Sequence, residues 1–122
     1  MIGYVTLGSN DLQRAGAFYD ALLGELGAQR FMNDERIIVW ATGPGAPMLS
    51  VIRPNDGKAA TVGNGVMVAL APGSREKVDA LYAKALSLGA TDEGAPGERM
   101  SGFYAGYFRD LDGHKLNFFH MG

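Results

Sequence analysis

The sequence predicts an α+β fold built from two pseudo-symmetric β-α-β-β-β modules. Three observations carry that prediction. Sliding the chain by 63 positions lays Gly3 to Leu23 over Val66 to Leu86, with identities at Val5/Val68, Leu7/Leu70, Ala17/Ala80, Tyr19/Tyr82 and Leu23/Leu86. Such a duplication governs the whole architecture. Each copy opens with a short apolar run and continues with apolar residues at helical spacing. After each helical run come short apolar segments separated by Gly, Asn, Asp and Pro, the residues of turns. The strands are expected to form a cupped mixed sheet with the helices outside.

The elements follow in order. Ile2 to Leu7 reads as a strand, stopped by Gly8-Ser9-Asn10. Asp11 is placed to cap a helix whose apolar face is Leu12, Ala15, Phe18, Tyr19, Leu22, Leu23 and Leu26, and Gly27 is placed to end it. Gln29 to Met32, Arg36 to Ala41 and Pro47 to Ile52 read as a three-stranded meander. Arg53 to Gly65, rich in Gly, Asn and Pro, reads as the linker. Val66 to Leu70 is the second opening strand and Ser74 the second cap. Arg75 to Leu88 is the second helix, stopped by Gly89. A short strand near Ala90 to Glu93 precedes a polar, Gly/Pro-rich loop. Phe103 to Arg109 and Lys115 to His120 are the last two strands, around Asp110-Leu111-Asp112-Gly113. The chain is thus expected to be a single domain, with module one at about 1–55, a linker at about 54–64 and module two at about 65–122. The ends of the modules also align, at an offset of 67, which pairs Trp40 with Tyr107, Leu49 with Leu116, Ser50 with Asn117 and Val51 with Phe118.

Composition narrows the function. The 122 residues carry a formal charge of -2, which offers nucleic acid no basic surface, so no nucleic-acid partner is expected. No apolar run approaches the ~18–20 residues of a membrane span, and the first residues do not resemble a secretion signal. A cytoplasmic protein without a membrane partner is expected. The absence of cysteine removes disulfides, thiolate nucleophiles and thiolate metal sites.

Strand side chains alternate between faces. Val5, Leu7, Leu49, Val51, Val68, Leu70, Leu116 and Phe118 form a uniformly apolar set, expected beneath the helices. The opposite set is Tyr4, Thr6, Met48, Ser50, Ile52, Met67, Ala69, Lys115, Asn117 and Phe119. Its mixture of apolar and polar groups suits the wall of a small-molecule cavity, against the plainer alternative of a partner-facing surface or a second core layer.

The double module, the run Asp11-Leu12-x-Arg14-Ala15-x-x-Phe18-Tyr19 and the turn Asp110-x-Asp112-Gly113-His114-x-Leu116 together resemble the vicinal oxygen chelate superfamily. That group includes glyoxalases, bleomycin resistance proteins and extradiol dioxygenases, and the likeness is to its small glyoxalase-like branch. The resemblance implies a homodimer and, in metal-dependent members, a His on the first strand and a Glu on the last strand of each module. Those positions hold Tyr4 and Met67, and Ser50 and Asn117. Such a set is a poor cage for a hard divalent ion, since Tyr4 would ligate only as a phenolate with an ordinary pKa of about 10. No cofactor is therefore expected, and a divalent metal is the alternative.

The remaining candidates each have a plainer reading. The resemblance implies that the 94–102 loop borders the pocket, where Arg99 would hold an anionic group; otherwise Arg99 is an exposed loop arginine. Trp40 and Tyr107 are candidates to line the cavity by stacking, or are plain packing. His114 reads as a turn residue and His120 as a solvated strand end. Ser50 has no histidine base beside it in sequence, so no catalytic pair is assigned. The expected activity is binding of a small organic molecule in a cavity lined by Tyr4, Trp40, Ser50, Met67, Arg99, Tyr107 and Asn117. The alternatives are a divalent-metal-dependent lyase or dioxygenase and a non-catalytic dimerisation module.

Overall fold

The computed structural model describes all 122 residues, Met1–Gly122. The chain divides into two compact units, Met1–Val62 and Gly63–Gly122. The first contains β1 (Tyr4–Gly8), α1 (Leu12–Gly24), β2 (Gln29–Asn33), β3 (Ile37–Ala41) and β4 (Met48–Ile52). The second contains β5 (Val68–Leu70), α2 (Arg75–Ser87), β6 (Thr91–Met100), β7 (Phe103–Arg109) and β8 (Lys115–Met121). Each unit holds one four-stranded mixed sheet, in the order β1-β4-β3-β2 and β5-β8-β7-β6. In both, the first strand lies parallel to the last and the other neighbours are antiparallel.

The helices form where the capping chemistry places them. Asp11 accepts a hydrogen bond from the Arg14 amide and Ser74 from the Lys77 amide, so the two caps are repeat-equivalent. Beyond α1, Gly27 takes a positive φ of 81° and the Ala28 amide bonds back to the Leu23 carbonyl. That geometry closes the helix end at little steric cost because glycine has no Cβ. The buried face of α1 is Leu12, Ala15, Phe18, Tyr19, Leu22 and Leu23; that of α2 is Val78, Leu81 and Ala85. They meet the apolar strand set, of which Leu7, Leu49, Val51, Leu116 and Phe118 are buried. Phe108 stacks on Phe118 with ring centroids 5.5 Å apart.

One segment differs from the sequence reading. The polar stretch after Glu93, expected as a loop, continues as strand to Met100. Three register irregularities against β7 absorb its glycines and Pro96, which a regular ladder would exclude. The linker also belongs partly to the first unit. Asn10 exchanges two hydrogen bonds with the Ala60 backbone, donating at 3.2 Å and accepting at 2.7 Å.

Asp20 on α1 is the polar anchor of the first unit. Both its oxygens accept from Arg30 of β2, at 2.9 Å each, and Oδ1 also accepts the Trp40 indole N–H at 2.8 Å. Gly16, one turn earlier, leaves room for this: an added Cβ would lie 2.8 Å from both Arg30 Nη2 and Ile38 Cδ1. In the second unit Tyr82 of α2 donates to Asp92 of β6 at 2.6 Å, and that bond pushes the phenol pKa up to about 12.

The hydrogen bond from Arg30 holds the Asp20 carboxyl below its ordinary value of 3.8. A lowered folded-state pKa adds stability that is full above the unfolded value and is lost as pH falls through the folded one. Asp20→Ala leaves the buried indole N–H unpaired and removes a half-exposed ion pair, at a cost of about 2 kcal/mol. Asp20→Asn keeps an acceptor for Trp40 and costs less than about 1 kcal/mol at neutral pH. Denaturant titrations should show the wild-type advantage over Asp20→Asn shrinking below pH 3.8.

Candidate functional site

The parallel strand pairs decide where each candidate residue points. In the first unit Val5 lies beside Leu49 and Thr6 beside Ser50. Leu49 is on the α1 side, so Thr6 and Ser50 face away from it, with Tyr4 and Met48 one step along the same face. Ser50 is fully buried, at 0% exposure, while Tyr4 is 62% exposed. The Ser50 hydroxyl donates to the Val5 carbonyl at 3.0 Å and lies 2.7 Å from Thr6 Oγ1. A hydroxyl has one proton, so Thr6 is the donor in the second bond. Ser50 is thereby held by two hydrogen bonds, with no imidazole among them.

In the second unit Val68 lies beside Leu116 and Ala69 beside Asn117. Asn117 is the repeat partner of Ser50 and Ala69 that of Thr6. Ala69 offers no hydroxyl. Asn117 is 1% exposed, and neither its amide nitrogen nor its oxygen has a hydrogen-bond partner. Met67 immediately precedes β5 and is 41% exposed. Across the antiparallel ladder Asn117 faces Tyr107. Over the Tyr107 ring lie the Arg99 guanidinium and the Lys115 ammonium, each 5.3 Å from the centroid. Arg99 Nη2 donates to the Ala95 carbonyl at 2.6 Å. Glu98 goes to the opposite side, where its carboxylate meets Arg75 of α2 at 2.8 Å, and that bond keeps its pKa below the ordinary value.

Trp40 is not on this kind of face, and its assignment as a cavity residue is corrected. It pairs with Leu49, lies 5.5 Å from Tyr19 and bonds Asp20 of α1, so it belongs to the helix-side core at 2% exposure. The physical reason is a one-residue difference between turns. Trp40 pairs with Leu49, but Phe108 pairs with Leu116, so β3 matches β7 at an offset of 68 while β4 matches β8 at 67. The true counterpart of Trp40 is Phe108, and that of Tyr107 is Val39. A slip of one residue reverses every side chain of a strand.

The histidines take structural places. The Asp110 carboxylate accepts from the Asp112 and His114 amides, organising the turn before β8. His120 pairs with Tyr104, whose hydroxyl donates to Asp79 of α2, so His120 lies on the helix side of the sheet. Sequence reasoning placed Thr6 and Lys115 on the mixed face without marking them as site residues. Their signal was the alternation that selected Ser50 and Asn117. A hollow of about 740 Å³ in the first unit is walled by Ile2, Phe31, Ala41, Pro44 and Met48, and Ser50 is not part of it.

The donor set does not fit the divalent metal that the resemblance implies. Ser50 already holds two hydrogen bonds, Asn117 is an amide, Met67 a thioether and Tyr4 a phenol, none of them a hard anionic or imidazole donor. In neither unit do three or more His, Cys, Asp or Glu side chains come together to hold an ion.

The fold has counterparts in known proteins. A family profile described as a glyoxalase-like domain matches residues 4–119. The crystal structure of a glyoxalase/bleomycin resistance protein from Albidiferax ferrireducens T118 is 36% identical, with a TM-score of 0.91 over 100% of this chain and 99% of that one. Two structures share the fold at lower identity. A glyoxalase/bleomycin resistance protein/dioxygenase family enzyme from Burkholderia phytofirmans PsJN is 18% identical, with a TM-score of 0.80 over 98% of each chain. A lactoylglutathione lyase from Agrobacterium tumefaciens is 19% identical, with a TM-score of 0.73 over 98% of this chain and 92% of that one. No curated protein matches the sequence. On the near-complete family match and the 36% identical structure, the chain belongs to the glyoxalase-like family of the vicinal oxygen chelate superfamily.

Proposed function

We propose that this glyoxalase-like protein binds a small organic molecule on the mixed faces of its sheets, without a conventional divalent metal. The observation that carries the reading is Asn117, a buried amide with both hydrogen-bonding atoms unpartnered. A buried polar group left unpaired costs about 1–3 kcal/mol, and a bound molecule that pairs with it recovers that cost. Tyr107, Arg99 and Lys115 beside it supply an aromatic surface and positive charge. In the first unit the equivalent position is closed, since Ser50 and Thr6 satisfy one another and the Val5 carbonyl, and only Tyr4 is left exposed. Turnover by a metal-dependent lyase or dioxygenase is the alternative, and the donor chemistry of the four positions weighs against it.

A homodimer is proposed as well. Ile2, Tyr4, Phe31 and Met32 in the first unit, and Val66, Met67, Met100 and Met121 in the second, are large apolar side chains left exposed. Exposed apolar surface on this scale is the usual mark of an interaction site.

Asn117→Leu replaces the unpartnered amide with an apolar group of similar size. It should stabilise the free protein by about 1–2 kcal/mol in denaturant titration, and it should abolish thermal stabilisation by any molecule that stabilises the wild type. A destabilised Asn117→Leu protein would overturn the unpaired state of the amide. Elemental analysis of protein purified without a histidine tag should find less than one tenth of an equivalent of nickel, zinc, manganese or iron; one equivalent would overturn the metal-free reading. Analytical ultracentrifugation should give twice the 13.0 kDa chain mass.

A further inference from the structure

We propose that the face of the second sheet turned away from α2 is a subsite for a small organic carboxylate. The anion would pair with the Arg99 guanidinium beside Tyr107, in the positive field that Lys115 adds from the neighbouring strand, with the Asn117 amide bonding a neighbouring polar group of the same molecule. The proposal rests on the small-molecule reading above and names the chemistry of its ligand.

Two cations sharing one aromatic ring set this place apart. Arg30 meets Asp20, Arg75 meets Glu98 and Arg109 meets Glu93, each within 2.9 Å. Arg99 and Lys115 share the Tyr107 ring and form no such ion pair. Two positive groups near one ring repel each other, and an anion bound beside them is attracted by both. The net charge of the chain is -2, so this local excess of cations opposes the overall balance.

The guanidinium is also held in place before any ligand arrives. Its Nη2 is fixed to the Ala95 carbonyl and its Cζ lies 5.3 Å from the Tyr107 ring centroid. Beneath it are two residues without side chains. A Cβ on Gly97 would sit 2.9 Å from Arg99 Nη1, and one on Gly94 would sit 3.2 Å from Nη2. One Nη2 proton is used by Ala95, which leaves the remaining guanidinium protons for an acceptor of carboxylate shape. Preorganised in this way, the arginine loses little side-chain freedom on binding. Asn117, cross-strand from Tyr107, adds both a donor and an acceptor, so the preferred molecule carries a neutral polar group next to its anionic one.

The test is an NMR titration of the full chain with benzoate, benzamide and benzylamine, following the Asn117 side-chain amide and the Arg99 Nε–H signals. Benzoate should shift both signals saturably, and benzamide should bind about tenfold or more weakly. Arg99→Gln and Lys115→Gln should each weaken benzoate by about tenfold. Gly97→Ala keeps every charge but displaces the guanidinium, and it should weaken benzoate while leaving the remaining spectrum unchanged. Equal affinity for benzoate and benzamide, or benzoate binding unaffected by the Arg99 and Lys115 variants, would overturn the anion subsite while leaving small-molecule binding intact. Shifts reproduced by sodium chloride at the same ionic strength would likewise overturn it. If none of the three probes moves the Asn117 amide, the subsite and the small-molecule reading fall together.

Discussion

The pairing of the first strand of each unit with its last strand is the constraint on which the rest depends. These are the parallel contacts, β1 with β4 and β5 with β8, and they join the ends of each β-α-β-β-β module. A parallel pair needs a crossover connection, and α1 or α2 lies within it. Once Val5 is beside Leu49 and Val68 beside Leu116, alternation assigns every neighbour to the helix side or to the opposite face. Thr6, Ser50, Ala69 and Asn117 are placed by that register and by nothing in their own chemistry.

The two units satisfy their central polar residue differently, although the frame is shared. In the first, Thr6 donates to Ser50 and Ser50 to a carbonyl, a closed chain of hydrogen bonds. In the second, the residue beside Asn117 is alanine, and the cross-strand neighbour Tyr107 makes no bond to the amide. One position is therefore a structural joint and its repeat partner an unspent hydrogen-bonding group. The same asymmetry appears in charge. Arg30 and Trp40 of the first unit converge on one carboxylate, Asp20, whereas Arg99 and Lys115 of the second converge on a neutral ring.

Much of this was legible in the sequence, because the features concerned are local and periodic. The caps Asp11 and Ser74, the apolar helix faces and the apolar strand set depend on spacing alone, and the repeat supplied a second reading of each. The placement of Trp40 failed at a point where spacing carries no information. The turn after β3 holds one residue more than the turn after β7, and neither turn length is visible in a gap-free comparison. β6 was curtailed for a related reason: Gly94, Pro96 and Gly97 carry loop chemistry, and only pairing with β7 through irregular register turns them into strand. Asp20 passed unremarked because its two partners lie on different strands.

The retained frame and the altered residues are explained by one physical economy. Four charged or imidazole ligands on sheet faces require a cation, since buried charges without partners are far more costly than neutral groups. Exchanging the last-strand carboxylates for a serine and an asparagine removes that requirement. Ser50 is then satisfied by the strand beside it. Asn117 is not satisfied, and an apolar residue there would fit the folded chain better. A neutral amide that burdens the fold by its presence, cross-strand from a ring that carries a guanidinium and an ammonium, makes sense where something outside the chain completes it. Under the proposed function, a neutral amide in this place would hold an organic molecule directly, with no ion between them.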